Sequence, residues 1–362
     1  MKRHVLVARL DSIGDVLVCG PAVRAIAAAA RVTMLCGPRG AAAAHMLPGV
    51  DDVIVWDAPW ISAAPVDVSA EHVAELIGLV GRAEVDDAVI FTSFHQSPLP
   101  LALVLRLAGI DNIAGASVDY AGSLLDVRLR PGEDFTEDQP EPMRAMAIAS
   151  AAGFQLPHGD DGRLRVSEPP DMSSVVPRSP YVVVHPGASA PARVWPVSGF
   201  AAVAGMLRSR GIGVVVTGGP DERAVCAQVA DAVDLDMVNL CGVLTIAELT
   251  GVIAAASAII VANTGPAHIA AAVGTPVVSL FSPVVPAIRW APYGVRCTLL
   301  GDQDAPCKNT RARECPIAGH PCLSRIEPQQ VVDACMRIME SSNAAGTRAR
   351  IGTQPISAEA TA

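Results

Sequence analysis

The sequence is poor in aromatic residues and in lysine, and it contains no run of basic residues. Aromatic side chains make up 4% of the 362 residues, so a core must consist mainly of Ala, Val, Ile and Leu. Lysine occurs only at Lys2 and Lys308, and the formal net charge is -9. Without a basic face, the chain does not fit the class of proteins that bind duplex nucleic acid. Hydrophobic residues at 51% against charged residues at 17% exclude general disorder.

Membrane-spanning and secretory segments are also lacking. Arg9, Asp11 and Asp15 interrupt the apolar N-terminus before the hydrophobic region of a signal peptide is complete. The nine cysteines are odd in number, and most lie singly in apolar stretches, as small core residues do. We therefore predict a cytoplasmic protein. Peripheral contact with the inner face of a membrane is the most we expect, because no strong basic amphipathic helix is present.

Short β-rich runs alternate with Ala-rich stretches in the first part of the chain. The predicted strands are residues 4–8, 32–36, 53–56 and 87–91. The predicted helices are residues 15–30, 39–47, 70–82 and 98–108. Strands without in/out alternation are typical of a parallel sheet covered by helices on both faces. The order therefore predicts a doubly wound α/β domain, to which we assign residues 1–165.

A second alternation follows a segment rich in Pro, Asp and Glu. Residues 115–178 break the rhythm apart from one predicted helix at 141–152, and we place an interdomain linker at 166–179. Predicted strands at 181–185, 213–217, 237–240, 258–262 and 276–281 then alternate with helices at 197–209, 221–232, 245–256 and 266–273. We predict a second doubly wound domain over 180–326, a closing helix over 327–340 and a disordered tail over 341–362.

Gly14 and Asp15 follow the first predicted strand, where ligands of open α/β sheets bind. Gly14 permits a tight turn and close approach of the backbone. Asp15 falls in the first turn of a helix, where it either complements the helix dipole or acts as a general base on a sugar hydroxyl. The turn lacks the GxGxxG pattern of dinucleotide-binding proteins, so a dinucleotide oxidoreductase is the least favoured class.

A turn late in the second alternation predicts an anion site most sharply. Pro266 stands where a helix should begin, and Asn263 or Thr264 can cap that helix. The N–H groups of Gly265 and Ala267, together with the positive end of the helix dipole, then point at one spot. Such a spot suits a phosphate group.

Two further loops at strand ends offer ligand-binding groups. Their small or polar residues are His185, Gly187, Ser189, Arg193, Gly218, Gly219 and Glu222. Ser189 and Arg193 suit a diphosphate, and the glycines leave room for a ligand. His185 by itself is more typical of a structural histidine. Glu222 is either a first-turn partner of a helix dipole or an acceptor for ribose hydroxyls.

These strand-end motifs, in this order, resemble glycosyltransferase family 9, the ADP-heptose:lipopolysaccharide heptosyltransferases and their relatives. The resemblance extends over residues 5–332 and is most specific at 185–196 and 261–292. It implies a GT-B fold, in which two Rossmann-like domains face a cleft and the donor binds the C-terminal one. It also implies inversion at the sugar without a metal.

The resemblance implies roles for individual residues. Asp15 matches the proposed catalytic base in the motif R-x-x-S-x-G-D. Diphosphate contacts are implied at Ser189, Arg193, Thr264, Gly265, Pro266 and His268. Nucleoside contacts are implied at Glu222, Leu244 and Thr245. Asn263 departs from the family, whose members usually have an Asp that contacts the donor sugar there; Asn keeps the shape and loses the charge.

Two motifs raise the question of a metal. Cys307, Cys315, His320 and Cys322 look like the cysteine-bearing loop of the second heptosyltransferase type, and their residue types suit zinc. They contain no C-x-x-C spacing, so we favour free or packed thiols. The sequence 234–236 is similar to the DxD of other glycosyltransferases but precedes a predicted strand, and we interpret it as surface acid. We predict neither a metal nor a cofactor.

The sequence thus predicts an inverting, metal-independent glycosyltransferase. Its partners are a nucleotide-sugar donor similar to ADP-heptose and a glycan or lipid-linked acceptor of the cell envelope. One alternative is a GT-B transferase that uses a UDP- or GDP-sugar. Another is a non-catalytic nucleotide-sugar-binding protein, which Asn263 favours and which Asp15 and Arg193 oppose.

Overall fold

The first half of the chain forms a parallel six-stranded sheet covered by helices. The computed structural model describes residues 2–62, 65–178, 180–233 and 237–351, with side chains described up to residue 340. The strands are β1 (His4–Arg9), β2 (Arg31–Cys36), β3 (Asp52–Val55), β4 (Asp87–Ile90), β5 (Asn112–Ala116) and β6 (Val127–Leu129). The helices are α1 (Ile13–Val18), α2 (Gly20–Ala27), α3 (Ala41–Met46), α4 (Ala70–Ala83), α5 (Leu99–Leu107) and α6 (Glu141–Ala151). The strand order is β3-β2-β1-β4-β5-β6, so β1 lies inside the sheet.

The second half forms another parallel six-stranded sheet. Its strands are β7 (Tyr181–His185), β8 (Gly213–Val216), β9 (Val238–Asn239), β10 (Ala258–Ala262), β11 (Val277–Leu280) and β12 (Cys297–Leu300). Its helices are α7 (Val197–Arg208), α8 (Arg223–Asp231), α9 (Ile246–Ala254), α10 (Gly265–Val273), α11 (Ala287–Trp290), α12 (Pro321–Ser324) and α13 (Pro328–Ile351). Short 3-10 turns lie at Pro191–Arg193 and Pro220–Glu222. The strand order is β12-β11-β10-β7-β8-β9.

Burial explains why the strands were recognisable. Every residue of β1, β7 and β10 is buried, because helices cover both faces of each sheet. The β-branched side chains of these strands therefore pack on both sides, which produces continuous apolar runs in the sequence. The predicted pair of doubly wound α/β sheets is confirmed. The exact domain limits at 165, 179 and 326 stay predictions.

The sequence reading missed several elements. The helix predicted over 15–30 is two helices. Helix α1 ends at Val18 with Cys19 as its C-cap, and α2 begins directly afterwards with Pro21 in its first turn. Strands β5 and β6 fall at the start of the segment that we predicted to be irregular, and β12 was not predicted. These strands are short, and β5 contains Gly115 and small side chains, so their apolar pattern is weak.

The C-terminal helix is longer than predicted. It packs against α7 and strands β10 to β12, in agreement with a closing element. It runs to Ile351, past residue 340, where the sequence predicted a disordered tail; residues 352–362 lie outside the described residues. Residues 341–351 show no apolar periodicity that indicates a helix, yet they contain no proline that would end one.

The carboxyl ends of the strands of the two sheets face each other. Helix α1 packs against α10, and α3 packs against α9. The approach is close at Gly14, where an added Cβ would lie 2.8 Å from Cδ2 of His268 and 3.6 Å from Cα of Gly265. This contact brings the carboxyl end of β1 opposite the carboxyl end of β10. Ligand groups held by one sheet can therefore meet side chains of the other.

Candidate functional site

A cavity of about 550 Å³ lies between the two sheets. Its N-terminal wall consists of residues that follow β1, β2 and β4, among them Asp15, Arg39 and His95. Its C-terminal wall consists of residues that follow β7, β10 and β11, among them Arg193 and Gly265. Most of the contributing loops leave the carboxyl end of a parallel strand, as expected for ligand sites in open α/β sheets. Polar groups of both signs thus face one space.

The Asp15 carboxylate on the N-terminal wall accepts hydrogen bonds from Ser12 and Arg9. Ser12 donates to Asp15 Oδ2 through its hydroxyl (2.6 Å) and its backbone N–H (3.2 Å). Arg9 Nη2 donates to Asp15 Oδ1 at 3.0 Å. Burial opposes ionisation, but the Arg9 charge and the Ser12 hydrogen bonds more than offset it, so the pKa of Asp15 lies below its ordinary value. Asp15 is therefore a carboxylate at neutral pH, and it lines the cavity.

Arg9 is the buried cation behind Asp15, and the sequence reading did not single it out as a site residue. Its side chain is 2% exposed, and its Nε lies 2.8 Å from Oδ2 of Asp11. Its Nη2 also donates to Oγ of Ser93 at 2.9 Å. Burial alone would lower the pKa of Arg9, but the surrounding carboxylates raise it above its ordinary value. Arg9 thus holds two cavity acids, Asp11 and Asp15, in fixed places.

The turn at the start of α10 forms the opposite wall. Thr264 is the N-cap residue but makes no side-chain capping bond, and Pro266 lies in the first turn. The predicted free N–H of Ala267 is instead bonded to the Thr264 carbonyl oxygen at 3.0 Å. Thr264, Gly265, Pro266 and His268 line the cavity as predicted. The candidate donors of this turn are therefore the Gly265 N–H, the Thr264 hydroxyl and the His268 ring.

Asn263 lines the cavity, but its side chain bonds away from the helix that we expected it to cap. Its Nδ2 donates to the Ser282 carbonyl oxygen, and its Oδ1 accepts from the Ser282 N–H, each at 3.3 Å. This pair ties the end of β10 to the end of β11. A carboxylate could not donate the first of these bonds, so the amide of Asn263 has a structural role.

Arg193 and His268 each keep a buried nitrogen without a hydrogen-bond partner among the described residues. Nη1 of Arg193 donates to the Asn263 carbonyl oxygen at 3.3 Å, while Nε is unpaired. Burial lowers the pKa of Arg193, Asp15 partly raises it, and the like charge of Arg313 lowers it again. Burial lowers the pKa of His268 to about 4, so its ring is neutral at neutral pH. Unpaired buried donors beside a cavity indicate a ligand that accepts from them.

Glu222 and its neighbours form a separate, self-contained arrangement. Glu222 Oε2 accepts from the Gly219 N–H at 2.7 Å and lies 3.6 Å from Nε2 of His185. The carboxylate leaves no space above Gly187, where an added Cβ would lie 1.9 Å from Oε1 of Glu222. Burial lowers the pKa of His185, although Glu222 raises it in part. These residues, with Gly218, do not line the Asp15 cavity.

Leu244 and Thr245 lie beyond β9, at the edge of the second sheet. Thr245 caps α9 and forms a capping box with Glu248: Thr245 Oγ1 accepts from the Glu248 N–H at 3.2 Å. Glu248 Oε2 in turn accepts from the Thr245 N–H at 2.8 Å. Neither residue lines the Asp15 cavity. The order β10-β7-β8-β9 nevertheless places the predicted phosphate and nucleoside residues at the ends of consecutive strands.

The cysteine-bearing loop packs behind the Ser189–Arg193 segment. Cys307 and Cys322 are buried in the second core, and Nε2 of His320 lies 3.1 Å from the Ala192 carbonyl oxygen. The Ala192 N–H donates to the Arg313 carbonyl oxygen at 2.8 Å. Within the described ranges no three His, Cys, Asp or Glu side chains are grouped so as to hold a metal. Residues 234–236, the DxD-like sequence, lie outside the described residues.

Several cavity residues were not predicted from the sequence. They are Asp11, Arg39, Ser93, Phe94, His95, Gln96, Arg311 and Arg313. Most of them follow β2 or β4, so the strand-end rule applied to every strand would have found them. Asp11 follows β1, and Arg311 and Arg313 come from the loop before α12, where no strand end marks them. Within the described residues, no helix is long and apolar enough to cross a bilayer.

Comparison with known proteins identifies the class to which this fold and site belong. The family model of glycosyltransferase family 9 (heptosyltransferase) matches residues 95–320, more than half of the chain. The chain therefore belongs to glycosyltransferase family 9, which confirms the resemblance inferred from its motifs.

Individual relatives agree with this assignment. The lipopolysaccharide heptosyltransferase 3 of Escherichia coli is 34% identical over 168 residues, which are 45% of this chain and 48% of that protein. The chain thus spans about half the length of the curated relatives that it matches first. The lipopolysaccharide heptosyltransferase 1 of Pseudomonas aeruginosa is 28% identical over 255 residues, 65% of this chain and 70% of that protein.

Solved structures of the family share the fold. A family 9 glycosyltransferase from Veillonella parvula superposes with a TM-score of 0.76 at 16% identity, covering 94% of this chain and 98% of that one. The E. coli ADP-heptose lipopolysaccharide heptosyltransferase II gives a TM-score of 0.73 at 21% identity, covering 94% and 99%. The predicted GT-B fold is confirmed.

Proposed function

We propose that this protein transfers a heptose or related sugar from a nucleoside diphosphate donor to a hydroxyl group of a cell-envelope glycan, in the cytoplasm. The observation that carries the proposal is the pairing of Asp15, on one wall of the cavity, with Arg193 and the start of α10 on the other. A base and a cationic anion site that face one space are the two parts that a displacement at an anomeric carbon needs.

In the proposed reaction, Asp15 accepts the proton of the acceptor hydroxyl. The hydroxyl oxygen forms a bond to the anomeric carbon from the side opposite the leaving group, which inverts the configuration. The bond from that carbon to the phosphate oxygen breaks, and the nucleoside diphosphate departs with the electron pair. Asp15 is suited to the first step because it is ionised and lies at the cavity surface, with its side chain 19% exposed.

The departing diphosphate would bind to the C-terminal wall. Arg193 is a permanent cation, and its unpaired Nε is available to a phosphate oxygen. The neutral ring of His268, with its unpaired Nδ1, can donate one further bond. Ser189, Thr264 and the Gly265 N–H complete the proposed set, and the positive end of the α10 dipole adds to it. Because these charges and dipoles are fixed, we propose that transfer needs no metal ion.

The nucleoside would extend along the ends of β8 and β9, where Glu222, Leu244 and Thr245 lie. Glu222 would then exchange or share its bond to Gly219 with a ribose hydroxyl. Asn263 is the proposed neighbour of the donor sugar through its place on the cavity wall, although its side-chain amide is bonded to Ser282. The acceptor would face the N-terminal wall near Arg39, His95 and Gln96.

A donor screen tests this proposal. The full chain is incubated with ADP-, UDP- and GDP-sugars and a set of envelope glycans, with and without a chelator, and the product is analysed by mass spectrometry. We expect transfer from an ADP-heptose-like donor that is insensitive to the chelator. Transfer from a UDP- or GDP-sugar alone would replace the donor assignment. Nucleotide binding without any transfer would support the non-catalytic alternative.

A further inference from the structure

A series of buried charges connects Asp15 to the C-terminal half of the molecule. Behind Asp15, Nη1 of Arg9 lies 3.8 Å from Oε2 of Glu141. The other oxygen of Glu141 lies 4.0 Å from Nη1 of Arg289, which comes from the C-terminal half of the chain. The side chains of Arg9 and Glu141 are each 2% exposed, and that of Arg289 is 8% exposed. Among these groups only Asp15 lines the cavity.

Glu141 is held more firmly than its position in a helix requires. It is the first residue of α6, where any acid would complement the helix dipole. A dipole partner can remain in solvent, however, whereas Glu141 is buried between two guanidinium groups. Burial raises the pKa of Glu141, and the charges of Arg9, Arg144 and Arg289 oppose that rise. A buried carboxylate in this position is stable only while its cations stay in place.

Arg289 reaches across the boundary between the two halves. It lies in α11, next to Trp290 on the cavity wall, and its Nη1 pairs with Oε2 of Glu137 at 2.5 Å. Its guanidinium carbon lies 4.2 Å from the centre of the Phe94 ring, which lines the opposite wall. Glu137 also pairs with the buried Arg144 at 3.3 Å. Arg289 therefore contacts both the ion network and the N-terminal wall of the cavity.

We infer that Glu141 and Arg289 are positioning residues that set the basicity of Asp15 through Arg9. The inference rests on the proposed function of Asp15 as the base. The Arg9 guanidinium is shared by Asp11, Asp15 and Glu141, so its pull on any one of them depends on the charge of the others. When Glu141 is neutral, Arg9 acts on Asp11 and Asp15 alone, and Asp15 becomes a weaker base. Arg289, from the other half of the molecule, is one of three cations, with Arg9 and Arg144, that favour the charged form of Glu141.

The first test is Glu141→Gln, which keeps the shape of the side chain and removes its charge. We expect kcat to fall by up to about tenfold, because the Brønsted relation links proton transfer to the basicity of Asp15. The acidic limb of the kcat profile should move to lower pH, since loss of a nearby negative charge lowers the pKa of Asp15. The affinity for ADP, measured by calorimetry, should not change, because Glu141 does not line the cavity.

Two variants of Arg289 provide an independent test. Arg289→Met removes one cation beside Glu141 and should lower kcat with the same shift of the acidic limb. Arg289→Lys keeps the charge and should restore most of the activity. The double variant with Glu141→Gln should be no worse than either single variant, because both changes act through Arg9. Additive losses would show that Arg289 acts by another route and would contradict the inference.

A matched control distinguishes positioning from simple stability. Asp160→Asn breaks the Arg24–Asp160 pair, which is similarly buried at 9% and 8% exposure but does not line the cavity. We expect it to lower the melting temperature without moving the pH profile. If Glu141→Gln behaves in the same way, its role is structural only and the inference is wrong.

The inference can also be tested without turnover. NMR titration of the Asp15 carboxyl should show a lower pKa in Glu141→Gln than in the unaltered protein, and an unchanged value would overturn the inference. Failure of the proposed function gives a different result, namely normal kcat in Asp15→Asn. In that case the shift in the titration would still show that Glu141 acts on Asp15.

Discussion

The two helices that meet across the cavity begin in opposite ways. Helix α1 carries its own anion, because Asp15 in its first turn accepts two bonds from Ser12 and one from Arg9. Helix α10 has no acidic residue in its first turn and no side-chain cap. Both helices follow an inner strand of a parallel sheet, so their position in the fold is the same. They differ in whether the protein itself supplies the negative charge at the helix start.

The two helix starts are therefore suited to different chemical roles. The start of α1 is filled by a carboxylate and is suited to take up a proton from a neutral hydroxyl group. The start of α10 is left open, with Arg193 and His268 beside it, and is suited to an anion that arrives with the substrate. Gly14 and Gly265 allow the two starts to approach closely, so the incoming hydroxyl and the diphosphate can reach one carbon atom. The predictions below test each side of this comparison.

The largest expected effect is at the filled helix start. Asp15→Asn keeps the size of the side chain and should lower kcat by about 10³-fold, the scale of general base catalysis. Its affinity for ADP, measured by calorimetry, should be unchanged or slightly tighter, because a negative charge leaves the cavity. Glu71→Gln, which alters an acid in the first turn of α4, is the control and should leave kcat unchanged. Near-normal turnover in Asp15→Asn would remove the carboxylate from the mechanism.

The open helix start should respond in binding. Arg193→Ala should weaken the affinity for ADP by about 10- to 100-fold, because a charge-assisted bond in a buried place is lost. Calorimetry measures this directly. Arg210→Ala, at an exposed position after α7, should have no effect. Equal ADP affinity in Arg193→Ala and the unaltered protein would place the diphosphate elsewhere.

The contact between the two helix starts should be sensitive to one methyl group. Gly14→Ala would place a Cβ 2.8 Å from Cδ2 of His268, so one wall must move. We expect kcat/KM to fall by about tenfold, because reaction at the anomeric carbon depends on a small misplacement of the walls. Gly205→Ala in α7 meets no atom within 4 Å and should be neutral or slightly stabilising. Loss of activity in both variants alike would point to a general effect on folding.

The smallest expected effect is on stability and concerns the pH response of His268. Its folded pKa of about 4 lies below the unfolded value of about 6.5, so the native state binds fewer protons than the unfolded state between these values. Stability is therefore full above pH ~6.5 and decreases as the pH falls towards 4. His268→Asn should reduce this decrease, which thermal unfolding at several pH values measures. An identical pH dependence in both proteins would show that His268 does not titrate as described.

Much of the fold could be predicted because burial on both faces leaves a local mark. Strands β1, β7 and β10 are runs of β-branched and small apolar residues, and their ends could be located within about two residues. Asp15, Arg193 and the turn at 263–268 followed from the rule that ligands bind after such strands. The short strands β5, β6 and β12 lacked the mark. The break between α1 and α2, which depends on Pro21, was not predicted either.

The details of the site were less accessible. Asn263 was expected to cap a helix or contact a sugar, but its amide joins β10 to β11 through Ser282. Glu222 was predicted to be either a helix-dipole partner or an acceptor for ribose hydroxyls; it bonds to Gly219 and covers Gly187. In each case the local sequence allowed several hydrogen bonds of similar strength. For Asn263 the end of the neighbouring strand decided which bond forms, whereas Glu222 bonds within its own loop.

The helix starts that face each other show where the two kinds of information divide. The presence of an acid in one turn, and the lack of one in the other, can be read from the chain because helix starts depend on residues that are close in sequence. The partners of Arg9 cannot be read in this way. Glu141 lies at the start of α6, and Arg289 lies in α11 of the second half of the chain. Only packing brings them together, because a pair of buried charges leaves no periodic pattern along the chain.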